Sequence, residues 1–188
     1  MHVTSSHARV VGDAVAPQGS LSDLVFWFLA AVVAVQGGHV VEHVVQLAQV
    51  FVFGVAEEDA LGLLGYLVQF NGTEEWLHLG FNVLYLACLY LLVVPLWRIT
   101  PAGLPTRVFA LFLLSSVWLE TWHVVEHGVI ISNVIANGGC PCPGIGDATL
   151  HVSDTVLHFA YNVLAYAGLA FVFALLVRRR GGLLRRRA

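Results

Sequence analysis

The sequence predicts an all-α integral membrane protein: a four-transmembrane-helix bundle built from a parallel internal repeat of two helix pairs. Three observations predict it. The 188-residue chain is 58% hydrophobic with only 11% charged residues and has a mean hydropathy of +0.80, which leaves too little polar sequence to coat a soluble domain of long apolar helices. Its apolar residues fall in four runs, each at or above the roughly 20 residues a helix needs to cross about 30 Å of hydrocarbon. In addition, the pentapeptide His39-Val40-Val41-Glu42-His43 in the first run recurs as His123-Val124-Val125-Glu126-His127 in the third.

Residues 1–20 read as a cytosolic tail. They lack the compact charged region, short apolar stretch and small-residue cleavage site of a secretory signal peptide, so span one, residues 21–53, is expected to act as its own insertion signal. His2 and His7 in this tail read as solvated side chains. In the first outer loop, residues 60–69 form an apolar stretch expected to lie as a short helix at the interface, and Asn71-Gly72-Thr73 supplies the turn and cap that start span two. Spans two, three and four are expected over residues 76–97, 108–135 and 155–177. The link Thr100-Pro101-Ala102-Gly103-Leu104-Pro105 is a turn-rich connector and not a domain boundary. Residues 21–178 therefore read as one membrane domain, followed by a basic cytosolic tail at 179–188.

Orientation follows from the arginines. All nine basic residues are Arg: Arg9 precedes span one, Arg98 and Arg107 lie between spans two and three, and Arg178, Arg179, Arg180, Arg185, Arg186 and Arg187 follow span four. Four spans put these segments on one side, and the positive-inside rule makes that side the cytoplasm. The expectation is a plasma (inner) membrane protein with both termini cytoplasmic. The outer loops carry no base but hold Glu57, Glu58, Asp59, Glu74, Glu75 and Asp147. Nothing points to a nucleic-acid partner.

The repeat extends beyond the pentapeptide. Leu77-His78-Leu79-Gly80-Phe81-Asn82-Val83-Leu84 matches Leu157-His158-Phe159-Ala160-Tyr161-Asn162-Val163-Leu164, with Glu74 answered by Asp154. Repeat 1 covers about residues 21–97 and repeat 2 about 107–178. Each unit has two spans, so both run in the same sense about a pseudo-twofold axis along the membrane normal. Two equivalent half-sites are expected to meet at the bundle centre.

At about 100° per residue, Gln36, His39, Glu42, His43, Gln46 and Gln49 share one face of span one, and Ser116, Glu120, His123, Glu126, His127 and Asn133 share one face of span three. Spans two and four carry narrower polar faces around His78 and His158. Ionisable groups inside a membrane are expensive and mark functional sites. The candidate metal ligands are six histidines, His39, His43, His78, His123, His127 and His158, with the carboxylates Glu42, Glu74, Glu126 and Asp154. Glu120 and His151 are extra candidates without a counterpart in the other half, Gln36 standing opposite Glu120. All lie toward the extracytoplasmic leaflet. Asn82 and Asn162 read as hydrogen-bonding partners between helices, and Trp118, Trp122, Tyr85 and Tyr161 as packing or interface residues.

So many nitrogen and oxygen donors exceed the needs of one ion, and two ions would use most of them. The expectation is a dinuclear centre of two transition-metal ions, with copper or iron favoured and zinc possible, because imidazole and carboxylate without thiolate suit these metals. Haem, the rival cofactor, would leave the paired carboxylates unexplained. The Glu-x-x-His spacing of soluble di-iron bundles occurs once, at Glu120-Thr121-Trp122-His123. His-x-x-Glu-His is also a zinc-protease signature, yet two copies in one bundle fit one shared centre better than two proteases. Cys140-Pro141-Cys142-Pro143 in the outer loop tilts the choice toward copper, and Cys88 reads as packing.

The function expected is a membrane oxidoreductase that activates oxygen or oxidises an apolar substrate or quinol, with Glu42 and Glu126 as the catalytic proton carriers, or the metal-bearing subunit of such an enzyme. Electrons must then come from another membrane subunit or a quinol. Metal storage, delivery or transport is the alternative, but the inner halves of spans two and four, residues 87–96 and 168–177, carry almost no polar group to continue a path.

Overall fold

A computed structural model describes residues 22–68, 74–100, 104–138 and 144–185. Among these residues the chain is helical with no strand. Four helices are long and apolar enough to cross a membrane, over Asp23–Phe51, Trp76–Ile99, Thr106–Ala136 and Asp154–Gly182.

Helix α1, Asp23–Phe51, starts where the Ser22 hydroxyl accepts a hydrogen bond from the Val25 N–H at 3.3 Å, with Asp23 in the first turn. The hydroxyl satisfies one of the orphan donors of a helix start, and the acid complements its dipole. Beyond Gly54, at φ +67°, the chain turns through a single 3₁₀ turn at Glu57–Asp59 into a short helix α2, Gly62–Val68. Helix α3, Glu74–Ile99, holds Pro95 in its last turns. The third long helix is composite: α4, Thr106–Leu111, passes through a π-helical stretch, Phe112–Trp118, into α5, Leu119–Ala136. Another short helix, α6, Ile145–Leu150, precedes α7, Asp154–Arg185.

The spans match the expected ones to within a few residues, except at the end. Helix α7 runs through Arg178–Arg180 to Arg185, since its Leu and Arg are good helix formers and the Gly181-Gly182 pair, though unfavourable, keeps the backbone N–H groups that a proline would remove. The tail expected at 179–188 is thus mostly a continuation of the last helix. Helix α6 was not expected. The short first-loop helix is present, trimmed to 62–68, and Asn71-Gly72-Thr73 lies outside the described residues.

Helix α1 packs chiefly on α7, and α3 chiefly on α5. Arg180 pairs with Asp23 and lies 4.6 Å over the Phe26 ring, so the basic end of α7 sits beside the start of α1. The bundle interior has two layers. At this end, Leu29, Leu89, Leu92, Leu96, Leu169 and Val172 form a fully packed apolar plug. Toward the other end most buried residues are polar, Gln36, His39, Glu42, His43, Asn82, Ser116, Glu120, His123, Glu126, His127, His158 and Asn162, with Ile130, Ile131 and Leu157 among them. Outside, Leu24, Trp27, Leu84, Leu91, Leu114 and Ile135 are exposed. Polar groups inside and large apolar groups outside invert the usual soluble arrangement.

Candidate metal centre

The two pentapeptides project their histidines inward because positions i and i+4 stand on one helical face. His39 and His43 on α1 have ring centroids 4.6 Å apart, and His123 and His127 on α5 are 4.8 Å apart. His78 on α3 joins the first pair at 5.9 and 5.8 Å. His158 on α7 joins the second at 5.2 and 4.7 Å. The triads touch each other through His78 and His127 at 5.8 Å and His43 and His158 at 6.4 Å. All six histidines named from the sequence therefore lie in one cluster, drawn from all four long helices.

The donor atoms of one triad, His123, His127 and His158, lie close enough together to hold a metal ion. Nε2 of His39 and Nε2 of His43 are 3.2 Å apart, close to the about 3.3 Å separating two imidazole nitrogens on a tetrahedral ion with 2.0–2.1 Å bonds. In the other triad, one ring nitrogen from each of His123, His127 and His158 lies within 4.8 Å of the others, so modest ring rotations would close it on an ion. His158 Nδ1 donates to the Asp154 carbonyl at 2.9 Å and sits 3.1 Å from the Asp154 carboxylate. That contact sets the tautomer that offers Nε2 as a ligand, an arrangement common behind metal-binding histidines.

The carboxylates take varied positions. Glu42 Oε1 accepts from the N–H groups of Leu64 at 2.6 Å and Gly65 at 3.4 Å, and Glu126 Oε1 accepts from the Gly146 N–H at 2.7 Å. Each pentapeptide glutamate thus pins one of the short outer helices, α2 or α6, to the bundle. Glu126 Oε2 is buried without a hydrogen-bond partner. Glu120 is fully buried, neither oxygen is hydrogen-bonded, and Oε2 lies 3.6 Å from His123 Nδ1. Asp154 stands behind His158 as described. Helix α3 begins at Glu74, whose side chain lies outside the described residues, as do Cys140 and Cys142. His151 is exposed at the turn before α7, at φ 54°.

Beneath the histidines, the Gln36 amide donates to Asn162 Oδ1 at 2.8 Å, and Asn162 donates to the His158 carbonyl at 2.9 Å. Asn162 thus links α1 to α7 as expected, whereas the buried Asn82 side chain, expected to do the same, makes no hydrogen bond. Ser116, at the π-helical stretch, donates to the Ala165 carbonyl at 2.7 Å.

Two kinds of residue escaped sequence reasoning. Phe81 stacks on His39 with centroids 4.0 Å apart, and Tyr161 lies 5.3 Å from the His123 ring and accepts from the Trp122 indole N–H at 3.2 Å. As members of apolar helices they read as packing, yet they occupy matched repeat positions, and that match was the available signal. The glycines Gly62 and Gly144 were also missed: a methyl group on either would run into the carboxyl of Glu42 or Glu126, respectively.

Comparison with protein-family models, with curated proteins and with solved structures gave no match for this chain.

Proposed function

We propose that this chain is an integral membrane protein that holds two transition-metal ions between its histidine triads and acts as a metal-dependent oxidoreductase or as the metal-bearing subunit of one. The observation that carries the reading is the convergence of six histidines, five of them buried, from four helices into two adjacent triads. Packing alone does not call for such a group, since each imidazole must be desolvated. The inside-out distribution of polar and apolar side chains supports insertion in a bilayer. The arginine pattern supports a plasma-membrane orientation with both termini cytoplasmic and the centre toward the outer leaflet. The paired packing of α1 on α7 and α3 on α5, which exchange when the halves are swapped, supports the parallel repeat.

His39, His43 and His78 would hold one ion and His123, His127 and His158 the other. Imidazole-rich donors favour copper or iron, with zinc possible. When bound, such ions supply redox and Lewis-acid chemistry. The chain's own residues would bind and orient: Asp154 fixes His158, Glu42 and Glu126 hold the short helices α2 and α6 to the bundle, and the same two glutamates would carry protons, Glu126 through its unpartnered Oε2. The apolar plug below favours an enzyme over a through-transporter, because among the described residues the buried side chains past Gln36 and Ser116 toward the basic end are apolar.

Elemental analysis of purified, metal-loaded protein tests the proposal. Two transition ions per chain are expected. One ion, or none, overturns the dinuclear reading, and a Soret band with bound porphyrin replaces it with haem.

A further inference from the structure

A cavity of about 160 Å³ lies between α1, α2 and α3 and reaches the centre from the side. One wall is polar, with His39, Glu42 and His78; the other is apolar, with Leu64, Leu77 and Phe81. Leu64 and Leu77 are 48% and 44% exposed, so this wall extends to the outer surface of the bundle. An apolar cavity of about 150 Å³ stays dry and accepts a guest the size of benzene.

The second half is packed differently here. There α6 lies close against α7: a methyl group at Gly146 would come within 2.5 Å of Leu157 Cδ2 and 3.0 Å of Tyr161 Oη. Leu157 and Tyr161 are the repeat counterparts of Leu77 and Phe81. Thus the residue pair that packs against α6 in the second half lines the cavity in the first. A structural network that only held two equivalent halves together would have no use for this asymmetry.

We propose that the cavity is the substrate pocket of the centre and takes an uncharged hydrocarbon group the size of a benzene ring, admitted sideways between α2 and α3. This rests on the metal reading for its consequence but not for its existence. The apolar wall favours an uncharged guest, and the volume limits its size. Helix α2 forms the outer wall, and its Leu64 and Gly65 N–H groups hang on Glu42 Oε1. The first pentapeptide therefore supplies both a pair of metal ligands and the anchor of the pocket wall.

The probe is fluorobenzene, followed by ¹⁹F NMR with metal-free protein in nanodiscs, and by the optical spectrum of the metal-loaded protein. Saturable binding is expected. It should weaken at least tenfold in both Leu77→Trp and Leu64→Trp, each of which fills the space, while the metal content of these variants stays that of the parent. Because His39 and His78 line the cavity, saturation should also shift the spectrum of the loaded centre. Non-saturating partition, equal in the parent and in both folded variants, overturns the pocket. Loss of metal binding with saturable fluorobenzene binding intact overturns the metal reading alone. Binding only after lipid removal would identify the natural guest as the end of an acyl chain, and binding in lipid as well would identify a free small hydrocarbon; both support the pocket.

Discussion

Among individual residues, Glu120 is the one whose surroundings least resemble those of its counterpart. Gln36, opposite it in the repeat, donates to Asn162, whereas Glu120 and Asn82, the counterpart of Asn162, are both fully buried with no hydrogen bond to their side-chain oxygens or to the Asn82 amide nitrogen. A buried polar group left unmatched costs about 1–3 kcal/mol. Glu120→Gln gives this half the amide that the other half uses, and it should raise thermal stability by about 1 kcal/mol, the net worth of one hydrogen bond, with metal content unchanged. Thermal unfolding and elemental analysis of the detergent-solubilised variant check both points. Loss of an ion would instead place Glu120 in the ligand set. The six histidines were legible in the sequence because duplication distinguishes a built site from a stray imidazole. The roles of Glu42 and Glu126 were not: a carboxylate at helical spacing shows which face it shares, but not that backbone N–H groups from twenty residues onward will reach it.

The long helices were readable from hydropathy and length, which a bilayer-spanning segment cannot disguise. The short and irregular elements were not. Helix α6 follows a Cys- and Pro-rich stretch and spans only Ile145–Leu150, too short for a periodicity to register. The π-helical stretch at Phe112–Trp118 alters the register that a uniform 100° step assigns to Ser116 relative to Glu120, and no local residue type announces it. The attachment of α2 yields a prediction at this scale. Gly62 has φ +70°, and a side chain there meets the Glu42 carboxyl, so Gly62→Ala should destabilise the protein by at least about 1–2 kcal/mol, the cost of the left-handed region. Gly38→Ala, in the middle of α1 with nothing within 4 Å of the new methyl, should stabilise by roughly 0.5–1 kcal/mol. Melting both variants beside the parent checks the contrast. Equal effects would show that α2 is not held by this contact.

In the whole molecule, the polar layer and the apolar plug divide the bundle along its length, and the sequence foretold this through the bare inner halves of spans two and four. Access should then be one-sided. In sealed proteoliposomes of known orientation, an impermeant chelator on the outer face is expected to strip the metal over hours, and the same chelator enclosed on the side of the basic termini is expected to leave it in place. Equal stripping from both faces would reveal a through-path and move the assignment to a transporter. The plug has an electrical meaning as well. In a bilayer, with the orientation proposed above and the centre open to the outer solution, the stretch around Leu89, Leu92, Leu96, Leu169 and Val172 would be the dielectric across which most of the membrane voltage falls, and the histidine layer would stay near the potential of the outer solution. A charge reaching the centre from outside crosses little of that field, but one arriving from the cytoplasm crosses nearly all of it, at about 2.3 kcal/mol per elementary charge per 100 mV. Turnover fed by protons and ions from outside would therefore be indifferent to membrane potential, and only electrons or protons drawn from the cytoplasm would make it electrogenic.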